Sequence, residues 1–144
     1  MSYTNIGTTI NVVAALPATE DGAGYSALTY TEVTGVASIP ETGPASAIVS
    51  QADLKDGTVR KAHGEVDFGG GTLQMREVAG DAGQGILKTA QSSQSTISCK
   101  IARANGKVEY FQAIVASYRK SEAGTGNFAG ISVDLQITSK IVEV

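Results

Sequence analysis

The sequence predicts a mainly β domain, a β-sandwich or split barrel with one short flanking α-helix, and three observations carry that reading. Apolar and polar residues alternate through Ile131, Val133, Leu135 and Ile137, and again through Ile97, Cys99 and Ile101. A period of two puts one face of such a segment in a core and the other in water. An Asn105-Gly106 dipeptide stands between apolar runs, the chemistry of a tight hairpin turn. The 17 glycines in 144 residues supply the turns, and with 42% hydrophobic and 17% charged residues the chain can build a core rather than stay disordered.

Taken in order, a first strand is expected at Thr8 to Ala14, with Ile10, Val12 and Ala14 on one face. A second is expected at Ala27 to Val33, with Gly22 and Gly24 separating the two. From Ser38 to Lys61 the chain carries Pro40, Gly43, Pro44 and Asp56-Gly57, with weak strand character only at Ala47 to Val49. A long loop or arm, ordered by a partner, is expected there, because connections beyond about 12–15 residues are usually functional or mobile. Val59 to Phe68 alternates and then stops at Gly69-Gly70-Gly71 before Leu73 and Met75 resume. Such a glycine run marks a bend or bulge inside a strand pair.

A helix is expected to start at Asp81 as N-cap, with Gln84 three residues on and Ala82, Ile86, Leu87 and Ala90 on one face. Gly83 and Gly85 each cost it up to about 1 kcal/mol relative to Ala, so it needs a sheet to lean on. A hairpin follows over about 95 to 119; a two-residue turn at Asn105-Gly106 would pair Ile101 with Tyr110, Cys99 with Gln112 and Ile97 with Ile114. The strand through Ile137 comes last. No internal repeat interrupts this order, and residues 1–144 read as one domain.

Composition excludes several functions. A net charge of −3 argues against a protein that neutralises phosphates. The basic residues Arg60-Lys61, Lys100, Arg103, Lys107 and Arg119-Lys120 are scattered among acids without stacking aromatics. No apolar run approaches the roughly 20 residues of a membrane span, and the N-terminus lacks the basic and apolar blocks of an export signal, so a cytoplasmic site of synthesis is expected. Cys99 stands alone on an apolar strand face, which excludes an intrachain disulfide and predicts an inert buried thiol.

Catalytic and cofactor chemistry find no support either. His63 is the single histidine and lies in a basic stretch, and no G-x-S-x-G elbow is present. Glu65 and Asp67 could share a strand face at the spacing acid–base pairs need, but solvated strands look the same. The Gly124–Gly130 cluster precedes a strand, where a dinucleotide loop must precede a helix. Asp53-Leu54-Lys55-Asp56-Gly57 lacks calcium-loop spacing. No enzyme, cofactor or metal site is expected.

One arrangement does point to a family. A proline- and glycine-containing excursion is followed by Lys61-Ala62-His63-Gly64-Glu65-Val66-Asp67-Phe68, a triple glycine, a short helix, and Asn105-Gly106-Lys107-Val108-Glu109-Tyr110-Phe111 within a hairpin. This order resembles the tail tube proteins of long-tailed bacteriophages, which are similar to the tubes of contractile tails and type VI secretion. The resemblance implies a structural virion protein that assembles with copies of itself into stacked, hexameric rings. It also implies tail-tip and terminator proteins as partners, and DNA passing through the lumen without specific binding or any membrane contact. Candidate lumen-facing residues are Glu65, Asp67 and Glu109. The excursion is the candidate axial contact, through Ile39, Pro44, Ile48, Val49, Leu54 and Arg60, with residues before Thr8 and the last few before Val144 as secondary candidates. An additional immunoglobulin-like C-terminal domain is not expected. The rival reading, a β-sandwich binding or virion decoration module, would want aromatic platforms, and the chain has no Trp and five Tyr.

Overall fold

The alternating segment at the end of the chain forms strand β8, Gly130–Ile137, and its apolar set Ile131, Val133, Leu135 and Ile137 is buried while the residues between are not. The computed structural model, which describes residues 4–120, 126 and 129–144, places this strand between β7 (Val108–Lys120) and β5 (Val59–Arg76). β7 pairs in turn with β6 (Thr96–Ala102), β6 with β1 (Thr9–Val13), and β1 with the two-residue β2 (Thr31–Glu32). On the far side β5 carries β3 (Val36–Ser38) and β4 (Thr42–Ala52), while β9 (Val142–Glu143) adds to β7 beyond the end of β8. Every pairing is antiparallel. The expected mainly β architecture is borne out, with one helix more than expected.

The helix predicted at Asp81 is present as α2, Ala82–Ser93. The Asp81 carboxylate accepts from the Gln84 backbone N–H at 3.0 Å, satisfying one of the donors a helix start leaves open. Gln84 does not close a capping box. Its side chain, 4% exposed, donates to the carbonyls of Thr34 and Arg76 and accepts from the Val78 N–H, which sews the helix start to β5 and to the link between β2 and β3. Gly83 is required here by close approach: a Cβ would stand 2.5 Å from the Glu32 carbonyl oxygen. Leu87 and Ala90 then reach the core formed by Ile10, Val12, Ile97, Cys99, Phe111 and the inward residues of β8.

Two expectations are corrected. The β6–β7 hairpin is one residue out of the expected register, so that Cys99 faces Phe111, Ile97 faces Ala113 and Ile101 faces Glu109. A two-residue type I′ turn needs positive φ at both Asn105 and Gly106, and of these only Gly106 has it, at 90°. The Gly106 N–H bonds to the Arg103 carbonyl and the Arg103 N–H to the Lys107 carbonyl, which makes a three-residue loop. Its register puts Phe111, Ala113 and Val115 on the buried face together with Ile97, Cys99 and Ile101. The predicted strand over Ala27–Val33 is the second correction. Gly22 and Gly24 are not separators but part of a five-residue helix α1, Gly22–Ser26, capped by Asp21, and the strand shrinks to Thr31–Glu32. Tyr25 of this helix is fully buried and stacks on Tyr110 at 5.5 Å, on the sheet face opposite Phe111.

Candidate assembly surface

The stretch read from sequence as a long excursion forms β4 and the first half of β5, which pair from Thr42↔Gly69 to Ala52↔Val59 as a hairpin arm. Both strands depart from regular pairing at two places. One lies at Thr42–Ala45, where Pro44, with no N–H to give, sits in the irregularity; the other lies opposite Gly64 and Glu65. β5 is a single strand of 18 residues that belongs to the arm in its first half and, from Gly70 on, pairs with β8. The triple glycine is the crossing point. Gly70 has φ +150, and a Cβ on it would meet the Leu135 carbonyl oxygen at 2.6 Å.

The tip is held by its own polar groups. The Asp53 N–H donates to the Thr58 carbonyl and the Gly57 N–H to the Asp53 carbonyl, the Asp56 carboxylate accepts from the Thr58 N–H, and Arg60 bridges the carboxylates of Asp53 and Asp56 at 3.0 and 3.1 Å. Those pairs are solvent-exposed and add little to stability, but they hold the tip on which Leu54 stands fully exposed. Ile48, Val49, Val59 and Val66 are also exposed along the arm. Pairing of Ile48 with His63, Ser46 with Val66 and Ala52 with Val59 puts Ile48, Val66 and Val59 on one face. Exposed apolar side chains along a two-stranded ribbon make the arm the candidate contact surface.

The predicted site residues divide accordingly. Ile48, Val49, Leu54 and Arg60 lie on the arm, Pro44 is exposed near its base, and Ile39 precedes it and packs on the core. Glu65 and Asp67 are exposed on β5 and border an open cleft of 450 Å³ between the arm and Ile137–Thr138. Asp67 also accepts from the Gly69 N–H at 2.9 Å. Glu109 does not join them. It is half-buried near the β6–β7 turn, where Oε2 accepts from Arg103 Nη2 at 2.7 Å and from Arg103 Nε at 3.2 Å. Sequence reasoning did not single out Val59 and Val66, which are exposed on the arm, although both fall in a stretch it read as a strand.

Chemical alternatives do not assemble. His63 stands exposed on the arm opposite Ile48. Burial pushes the Cys99 thiol up to about 12 and keeps it out of reach. Among the described residues no group of three His, Cys, Asp or Glu side chains could hold a metal ion, and no helix is long and apolar enough to cross a membrane. Of the glycine cluster near the end of the chain, Gly124-Thr125 and Asn127-Phe128 lie outside the described residues, as do the first three residues of the chain.

No family model and no curated protein matches the chain. Solved structures do. A subunit of the SPP1 tail tube superposes with a TM-score of 0.65 at 17% identity, over 94% of this chain and 75% of that one. A component of the 6-fold symmetrised baseplate of the anti-feeding prophage matches with a TM-score of 0.66 at 7% identity, over 100% of this chain and 97% of that one. A chain of the tube-terminating cap of the same particle matches at 0.60 and 13% identity, over 100% and 93%. The fold is that of phage tail tube proteins.

Proposed function

We propose that this chain is a tail tube subunit of a long-tailed bacteriophage, a structural protein of the virion that closes into rings, six to a ring, which stack into a conduit for DNA. The observation that carries the reading is the arm: a hairpin that leaves Ile48, Val49, Leu54, Val59 and Val66 in solvent, on a fold whose other long strands share one core. A monomer gains nothing from such a surface, and its unpaired strand edges are a liability that pairing between subunits removes. A ring contact of this kind is heterologous and closes by rotation, while axial stacking is an open repeat that other proteins must end. The 6-fold symmetry named for the baseplate neighbour and the terminating role named for the cap neighbour support rings of six and partners at the tube ends.

In this reading the arm, through Ile48, Val49, Leu54 and the base at Pro44, makes the axial contact. Glu65 and Asp67 face the lumen, where carboxylates repel the phosphate backbone and let DNA slide. The subunit needs no cofactor and performs no catalysis. The test is negative-stain electron microscopy with light scattering on the concentrated protein and on Leu54→Ser. Hollow tubes with a regular ring repeat from the parent, lost or shifted to higher concentration in Leu54→Ser, are expected. Tubes that form equally well from Leu54→Ser would remove the arm tip from the contact, and a parent that stays monomeric at every concentration would favour a binding module.

A further inference from the structure

We propose that Arg103, with Glu109 and Thr42, positions the arm: the three side chains form a latch that fixes the angle at which the hairpin leaves the body. The groups come from parts of the chain 61 and 67 residues apart. Arg103 follows β6 at the start of the three-residue turn, Glu109 is the second residue of β7, and Thr42 opens β4. Arg103 Nη2 donates to Glu109 Oε2 at 2.7 Å and to Thr42 Oγ1 at 3.1 Å, and the Thr42 hydroxyl also approaches Glu109 Oε2 at 3.5 Å. Among the described residues this is the one side-chain hydrogen-bonded link between β4 and the β6–β7 hairpin.

Its placement suits positioning better than surface charge. The Arg103 and Glu109 side chains are 21% and 18% exposed, far less than the Arg60 pairs at the tip, so water competes weakly and each group depends on the other. Glu109 stands opposite Glu143 across the β7–β9 pair, and like charges in that position repel unless a cation intervenes. Arg103 supplies that cation, and its Nη2 donates to Thr42 as well as to Glu109. At the other side of the base, Asp67 accepts from Gly69 N–H just before the glycines that carry β5 from arm to sheet. The backbone at the crossing follows a path that only glycine fits, and the latch holds the partner strand β4 where it enters the arm.

Positioning would matter for assembly because a contact held in its bound geometry before association loses less freedom on binding; this step rests on the reading of the arm as an assembly surface. The test uses the full chain with spin labels at Lys55→Cys on the tip and Lys88→Cys on α2, the native Cys99 being buried and unlabelled. In dilute protein, Thr42→Val and Glu109→Gln should each broaden the tip-to-helix distance distribution measured by pulsed dipolar spectroscopy. Without labels, each should raise the concentration needed for tube formation by about tenfold. Thr42→Val leaves the ion pair in place and serves if Glu109→Gln folds poorly. A distribution unchanged in both mean and width overturns the latch. A broadened distribution with unchanged tube formation keeps the latch and overturns the arm as an assembly contact.

Discussion

The body and the arm are built from the same kind of strand, yet they solve opposite problems. In β6, the middle of β7 and β8 every second side chain is buried, and the core they share with α2 holds Phe111, Leu87 and Cys99 out of water. In β4 and the first half of β5, Ile48, Val49, Val59 and Val66 meet solvent. Hydrogen bonding is present in both; burial is present in one. Backbone pairing alone can therefore shape a ribbon on this chain, but stability at the level of the whole fold resides in the body, and in the proposed tube the arm is half of a contact.

The largest effect that tests this difference is truncation in the body. Phe111→Ala should lower unfolding free energy by about 3–5 kcal/mol, through lost transfer energy and the cavity left behind, read as a fall in the denaturant midpoint at constant slope. A loss below about 1 kcal/mol would mean the core is not cooperative with the rest and would break the comparison.

A second effect, somewhat smaller, comes from Cys99. Burial raises its folded pKa from 9.0 to about 12. The stability this contributes is intact below pH 9, where both states hold the proton, and is lost as the pH climbs from 9 towards 12, because the unfolded chain ionises first. Between pH 9 and pH 10.5 the parent should lose about 1.5 kcal/mol more than Cys99→Ala, the slope rising towards about 1.4 kcal/mol per unit as the unfolded thiol ionises. Parallel pH profiles would show that water reaches the thiol in the native body. Burial also raises Tyr30 and Tyr118, so the difference between the two proteins, and not either profile alone, carries the result.

Next in size are two glycines that should respond with opposite signs. Gly70→Ala places a Cβ against the Leu135 carbonyl at a φ of +150 and should cost about 1–3 kcal/mol. Gly85 lies on the exposed side of α2 with nothing within 4 Å of a Cβ, and Gly85→Ala should gain about 0.5–1 kcal/mol. Thermal melts of the two variants sharpen the picture of where arm and body join. If Gly70→Ala melted no lower than the parent, Gly70 would be a tolerant hinge rather than a tight crossing.

How much of this was legible in the sequence follows from the same contrast. β6, β8 and α2 could be read because burial on one face imposes a period, and Asp81 announces the helix start. The β6–β7 register could not, since Asn-Gly suits both a two-residue and a three-residue loop and the choice rests on the φ of Asn105. The arm was hidden for a physical reason: with neither face buried in the monomer, nothing enforces alternation in Ala45-Ser46-Ala47-Ile48-Val49-Ser50, and Pro44 reads as a breaker although an irregular edge strand accepts it. Helix α1 is too short to show a period. Glu109 read as a lumen-facing strand charge: its ion-pair partner Arg103 stands six residues away across the turn whose register was misread, and Thr42, which joins them, lies 67 residues away, a distance no local pattern spans.

The smallest effect on stability is expected where the largest effect on association is. Val49→Ser removes an apolar group that is already in water, so the unfolding free energy of the dilute protein should move by no more than about 0.5 kcal/mol. The arm's amides should exchange with solvent much faster than those of β7 and β8 in the monomer, because few buried contacts hold them closed. In assembled protein the same amides should become protected while those of β7 and β8 hardly change. Equal exchange of the arm in both states would mean that assembly leaves it in water, and the surface that joins subunits would then have to be sought on the body.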